Sequence, residues 1–435
     1  MFQIQDKAQK VIFRIISFIS AAYLCYYYRQ GGIKDVGITE PGLRDVGVYV
    51  EAGKAVFAGL NPYETVGNRF GTLGPLPITL LSYLVPSEFL TFFFQAINLM
   101  GIYLFLFVFV RLYKNQLADH IFLTILFFAP TREMLTTNQI TGIIMGLIAF
   151  GYLMYARYLE QKSFADLVIS GVSFAFAADL KPHLVALFIL FLSVSNRKLN
   201  VLFASLASWS LGHLAIDISQ GRILEIDWLA TLQVIQYRSS QGTLGDSVSF
   251  WPIIYKLLGV DGLPGTVTNL PLFLTTIFAL RYCIKSDLAR ALPWVFLIPS
   301  TSIYFHYYDA IPAFLIALLL IKDRVKIPAL VFIGLTLIPK EYQSIRNQIL
   351  VILFLSLWTY FSINPRKIGK IVLAFLLVNA IHFMNNQITD DKYFMQTLVV
   401  SESLILCALT LITLTRNSNF LQGFKNFIDN SKAPA

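Results

Sequence analysis

Charge is scarce in this chain. Lys, Arg, Asp and Glu make up 14% of its 435 residues, against roughly 25% in soluble domains. So little charge cannot cover a water-exposed surface of this size, which excludes an ordinary soluble globular protein. Cysteine is sparse too. Cys25, Cys283 and Cys407 lie in or beside different apolar segments, which excludes a disulfide framework and a thiolate zinc site. The five histidines, His120, His183, His213, His306 and His382, form no HxxxH or HExxH pattern, so no metal and no other cofactor is expected. A GxxxxGK(S/T) loop is missing, which removes the P-loop ATPases. No Asp-x-Asp pair occurs either, so nothing reads as a holder of a metal–nucleotide-sugar complex. Internal repeats, low-complexity stretches and long polar modules are likewise lacking.

What is present in quantity is apolar sequence. Hydrophobic residues make up 56% of the chain, and the mean hydropathy is +0.65. A membrane span needs about 20 apolar residues. Candidate segments lie near 11–29, 87–111, 118–131, 139–158, 163–180, 183–196, 199–217, 265–281, 289–305, 309–322, 327–340, 346–363, 368–386 and 394–415. Several are short enough to be re-entrant, so 11 to 14 membrane segments are expected. The expected fold class is an all-α integral membrane protein, one polytopic helical bundle over 1–435, with short surface helices on its outer face.

The net charge of +9 fits short basic clusters between apolar runs rather than a nucleic-acid-binding face. Lys7, Lys10 and Arg14 precede an apolar stretch to Tyr28, expected as a retained first span with its amino end inside. With that orientation and 14 spans, 21 of the 34 Lys and Arg fall in cytoplasmic segments. Both termini are then cytoplasmic in a multi-pass protein of the cell membrane. Two long connections, 30–86 and 218–264, lie on the outer face.

Five polar stretches share that outer face. In the first loop, Asp45 stands ahead of the helical pattern VGVYVEAGKAVFAG, which breaks at Gly59 and Asn61-Pro62. Asp45 suits an N-cap, and equally a carboxylate that accepts a proton at the membrane boundary. Asp35, Glu40 and Glu51 are its neighbours. The second stretch is Thr137-Asn138-Gln139, before a span. The third is ADLKPH, where Asp179 and Lys181 are close enough in sequence to pair and Pro182 breaks the helix. The fourth carries Arg238, whose planar fork suits phosphate oxygens, with Ser239 and Ser240. The fifth is STSIYFHYYDAIP, with His306, Asp309 and aromatics suited either to sugar stacking or to an interfacial belt.

These residues resemble glycosyltransferase family 87, the polyprenol-phosphate-mannose-dependent mannosyltransferases of the GT-C fold. Asp45 is followed by Tyr49 and Ala52-Gly53, then by Gly59-Leu60-Asn61-Pro62-Tyr63. Asn138-Gln139 is similar to the family's Gly-Gln segment, with Asn138 in place of the glycine. Leu180-Lys181-Pro182 is similar to its Leu-Lys-Pro. Ser240-Gln241-Gly242-Thr243-Leu244 resembles its Asn-Gln-Ser-Leu loop, and His306-Tyr307 its late His-Tyr. FGTLGPLP departs from the Tyr-Pro-Pro often found there. The likeness covers about residues 10 to 325.

The resemblance implies a GT-C-type bundle and an inverting transfer of a sugar, mannose first, from a polyprenyl-phosphate donor to a lipid or glycan acceptor outside the membrane. It implies Asp45 as general base. It also implies donor phosphate or sugar contacts at Lys181, Arg238, His306, Asn138, Gln139, Tyr49, Asn61 and Tyr63. The competing readings are a lipid-linked glycan transporter or flippase, and an O-antigen polymerase or ligase. A transporter needs no base at Asp45, and the polymerases and ligases place their main groups in a late loop.

Overall fold

The computed structural model describes residues 7–28, 44–65, 71–112, 129–181 and 198–228 except 225, with isolated positions at 126, 267, 270, 273, 274, 277, 309 and 311. All of them lie in the first of the two units into which the chain divides, Met1–Pro312. Among the described residues all regular structure is helical. The helices are α1 (Lys7–Tyr28), α2 (Arg44–Phe57), α3 (Pro62–Thr65), α4 (Pro75–Ser82), α5 (Leu90–Leu112), α6 (Ala129–Thr137), α7 (Thr141–Gln161), α8 (Phe164–Leu180) and α9 (Lys198–Gln220), with a 3-10 turn at Ser87–Phe89 before α5.

Three described stretches are long and apolar enough to cross a membrane: Ser87–Val108, Thr141–Gln161 and Asn200–Gln220. Between their ends, most of their large outward side chains are apolar. Met100 and Phe107 on α5, Phe150 on α7, and Phe203, Leu206, Leu211, Leu214 and Ile218 on α9 are all exposed. In water this would be a large apolar patch; against lipid it is the expected surface. The chain is an all-α membrane protein. Val267, Leu270, Phe273, Leu274 and Ile277 continue the pattern inside the candidate segment 265–281: each is helical and exposed. The expected segments 11–29, 87–111, 139–158, 163–180 and 199–217 coincide with α1, α5, α7, α8 and α9 to within a few residues. The segment 118–131 ends differently, because α6 runs on through a polar stretch to Thr137. The other candidate segments fall largely outside the described residues.

α5, α7, α8 and α9 pack in chain order, each against the next. Small residues set the spacing, since without a hydrophobic force between helices in lipid, close backbone approach supplies the attraction. A Cβ on Gly101 would strike the Gly142 carbonyl, and one on Gly142 would strike the Asn98 backbone. Gly171 of α8 stands in the same relation to Ala204 of α9. Polar groups fasten the same seams: Ser170 Oγ donates to Gly151 O at 2.8 Å.

α2 is more enclosed than a helix lying on a bilayer. Val46, Tyr49, Val50, Ala52, Ala55 and Val56 are all buried. Gly53 allows this, because α4 crosses there and a Cβ would meet Thr79. Thr79 Oγ1 donates back to Val50 O at 3.0 Å. The half-exposed residues of α2, among them Asp45, Val48, Glu51 and Lys54, lie three apart and form one stripe along the helix.

Candidate functional site

Asp45 lies in the first turn of α2, inside the helix rather than just ahead of it, where a carboxylate faces the positive end of the helix dipole. Its Oδ2 accepts a hydrogen bond from Gln139 Nε2. The two residues are 94 positions apart. α6 ends at Thr137, and Asn138 follows with φ of 51°. Asn138 N donates to Leu135 O at 3.4 Å and Gln139 N to Met134 O at 2.9 Å. This is the Schellman ending, in which a left-handed residue stops the helix; glycine is usual there and asparagine next. That turn delivers Gln139 to Asp45.

α5 braces the turn from behind. Gln95 Nε2 donates to Leu135 O at 2.8 Å, and Asn98 Oδ1 accepts from Ile143 N at 3.1 Å. Gln95 and Asn98 carried no motif signal beyond being amides in an apolar run. Asn138 itself is 1% exposed, and among the described residues neither its Nδ2 nor its Oδ1 has a hydrogen-bond partner. A buried amide left unmatched is costly, and such a group calls for an explanation.

Tyr49 sits one turn along α2 from Asp45 and is fully buried. Burial, followed by the negative charges of Asp45 and Asp309, pushes its phenol well above the usual tyrosine range. It stays protonated beside two carboxylates. Glu51, the other carboxylate on this helix, pairs with Lys54 at 2.8 Å. Asp35 and Glu40 lie outside the described residues.

Lys181 follows the last turn of α8 in an extended conformation, φ −147° and ψ 92°. Pro182 explains this, since the residue before proline is driven out of the helical region. Asp179 and Lys181 therefore diverge and take different partners. Lys181 Nζ donates to Asp309 Oδ1 at 2.7 Å and to Thr141 Oγ1 at 3.2 Å, and Thr141 Oγ1 donates to the same Asp309 oxygen at 3.0 Å. All three side chains are buried. Thr141 opens α7, two residues beyond Gln139, so this ion pair adjoins the Asp45–Gln139 contact along the chain.

Asp179 is the centre of a separate network. Its Oδ2 accepts from Gly74 N at 2.6 Å. Its Oδ1 accepts from Trp209 Nε1 at 3.0 Å and lies 2.6 Å from His213 Nε2. His213 Nδ1 in turn lies 3.3 Å from Thr72 Oγ1. The carboxylate thus ties the Gly71–Leu73 segment and the start of α4 to α8 and α9. The sequence hint was a histidine inside an apolar run, where an ionisable group needs a named partner.

Asn61 and Tyr63 stand apart from these residues. Asn61 Oδ1 accepts from Tyr63 N at 3.0 Å, and Asn61 Nδ2 donates to Asp227 Oδ2 at 2.8 Å. Tyr63 packs with Val56, Leu73, Ile216 and Leu224. Val56 lies about 16 Å along α2 from Asp45, at 1.5 Å per residue. The structure therefore brings Asp45, Tyr49, Asn138, Gln139 and Lys181 into one neighbourhood and leaves Asn61 and Tyr63 at the far end of α2. Arg238 and His306 lie outside the described residues. Among the described residues, no three His, Cys, Asp or Glu side chains gather as a metal site needs.

No curated protein matches the chain. The model of glycosyltransferase family 87 matches residues 70–233, a stretch that holds Asn138, Gln139, Thr141, Asp179, Lys181 and His213 but covers less than half of the 435 residues. Asp45 and Tyr49 precede it and Asp309 follows it. The match, on a bundle with membrane-length apolar helices, supports a membrane glycosyltransferase.

Proposed function

We propose that this protein moves a sugar, mannose first among the candidates, from a polyprenyl-phosphate donor to a lipid or glycan acceptor at the outer face of the cytoplasmic membrane. The observation that carries the proposal is the half-buried Asp45 held by Gln139, with the buried Lys181 ammonium bonded to Thr141, two residues beyond Gln139. In this reading the acceptor hydroxyl gives its proton to Asp45 as its oxygen attacks the anomeric carbon. The bond from that carbon to the phosphate oxygen breaks, and the electrons leave on the phosphate. A single displacement inverts the anomeric centre. The leaving charge falls on Lys181, with Arg238 and His306 assigned to the same task from the sequence. Donors aimed at developing charge in a water-poor site are the strongest single source of rate. Tyr49, neutral and next to Asp45, and the unmatched amide of Asn138 are assigned to the sugar. Asn61 and Tyr63 are assigned to the scaffold, because Asn61 bonds within its own turn and to Asp227.

The test is transfer by purified protein from a prenyl-phosphate sugar, with Asp45→Asn beside wild type. Asparagine keeps the shape and can still accept from Gln139. A general base contributes about 10²–10⁴ in rate, so transfer should fall by that factor with thermal stability unchanged. Near-normal transfer by the folded variant would reject Asp45 and direct attention to Asp35. Direct transfer from a nucleotide sugar, with lipid donor absent, would reject the donor class.

A further inference from the structure

We propose that Asp309 is a positioning residue for this transfer, holding the Lys181 ammonium where the donor phosphate must meet it. The inference rests on the lipid-phosphate-sugar reading above. The Asp309 side chain is completely shielded from solvent and that of Lys181 nearly so, 0% and 4% exposed, at 2.7 Å. A charge this deep is sustained only when it is paired and hydrogen-bonded. Asp309 supplies the pairing, and a fixed cation is what a departing prenyl phosphate needs.

The geometry is closed as well as paired. Thr141 Oγ1 donates to the same Asp309 oxygen that receives Lys181, and accepts from Lys181 in turn. Three side chains from the start of α7, the end of α8 and a point 128 residues farther on hold one another in a ring. An ammonium on a flexible four-carbon stem is otherwise a loose point charge. The ring fixes it beside the turn that presents Gln139 to Asp45. Burial raises the Tyr49 phenol first, and the charges of Asp45 and Asp309, far apart in sequence, both add to that rise. A buried ion pair can be merely structural. This one adjoins the proposed base and holds the proposed phosphate cation, and it leaves the phosphate to share that cation with Asp309.

The experiment compares wild type, Asp309→Asn, Asp309→Glu, Lys181→Ala and the Lys181→Ala/Asp309→Asn double variant. Transfer from a synthetic prenyl-phosphate mannose is measured per folded molecule in nanodiscs, well below each melting point. Asp309→Asn removes the charge. Asp309→Glu keeps it, and with it the fold, while pushing the ammonium out by a methylene. Both should raise donor KM, leave acceptor KM alone, and cut transfer by about 100-fold, the effect of a misplaced positioned group. Because Asp309 acts through Lys181, adding Asp309→Asn to Lys181→Ala should change transfer by less than threefold. Two results overturn the inference while the function stands: a folded Asp309→Glu protein with wild-type donor KM and transfer, or equal losses from Asp309→Asn in both backgrounds. Wild type that transfers nothing from the lipid donor overturns the function reading and this inference together.

Discussion

Replacing Asp179 by alanine strips the acceptor from three donors at once. Gly74 N, Trp209 Nε1 and His213 Nε2 lie 2.6, 3.0 and 2.6 Å from its oxygens. A buried donor left without a partner costs about 1–3 kcal/mol, which for three sets an upper bound near 9 kcal/mol. Polar side-chain bonds inside membrane proteins average about 0.6 kcal/mol, because the unfolded chain in lipid finds other partners. That sets a lower bound near 2 kcal/mol. Partial relaxation should bring the loss to about 4 kcal/mol, still within what removal of a buried polar hub can cost. Asp179→Asn should lose less, since one oxygen stays while the new amide nitrogen confronts at least one donor. Gly71 sharpens the test, because a Cβ there would run into the Asp179 carboxylate. Gly71→Ala should therefore injure the same anchor from the other side, and the two losses should not add. Reversible unfolding in mixed SDS micelles reads the free energies. Cysteine labelling at residue 73 reads release of the segment, which should become faster in Asp179→Ala. A variant within 0.5 kcal/mol of wild type, with residue 73 still protected, would refute the idea that this carboxylate anchors the segment.

Asn138 separates stability from function. Its φ of 51° suits glycine, so Asn138→Gly should be at least as stable as wild type while donor KM rises. Asn138→Ala should lose about 1–2 kcal/mol to left-handed strain. A donor KM unmoved in Asn138→Gly would remove the amide from the sugar contacts. Tyr49 predicts an alkaline weakness. Its phenol is raised well above 10.0 in the folded protein, so above pH 10 the unfolded chain releases a proton that the folded chain keeps. Stability should then fall by about 1.4 kcal/mol per pH unit from this group. Tyr49→Phe should lack that slope between pH 10 and 11.5, and a slope equal to wild type would show that Tyr49 ionises normally.

Much of the bundle was legible in the residues, because hydropathy, helix stops and backbone constraints are local properties. The apolar runs marked α1, α5, α7, α8 and α9, since a helix must stay apolar for its whole transit of lipid. Pro182 dictated the extended Lys181. Asn138, standing where similar sequences carry glycine, suited the left-handed stop after α6. Charge scarcity ruled out the soluble classes. Tertiary structure decided which polar groups meet. Gln139 reaches Asp45 across 94 residues, Gly74 reaches Asp179 across 105, and Thr141 reaches Asp309 across 168. Asp179 turned from its sequence neighbour Lys181 to His213 and Trp209, and Asn61 went to Asp227 instead of the site around Asp45. Such pairings depend on how helices cross. The crossings are set by small residues such as Gly53, Gly101, Gly142 and Gly171, whose partners no local pattern names.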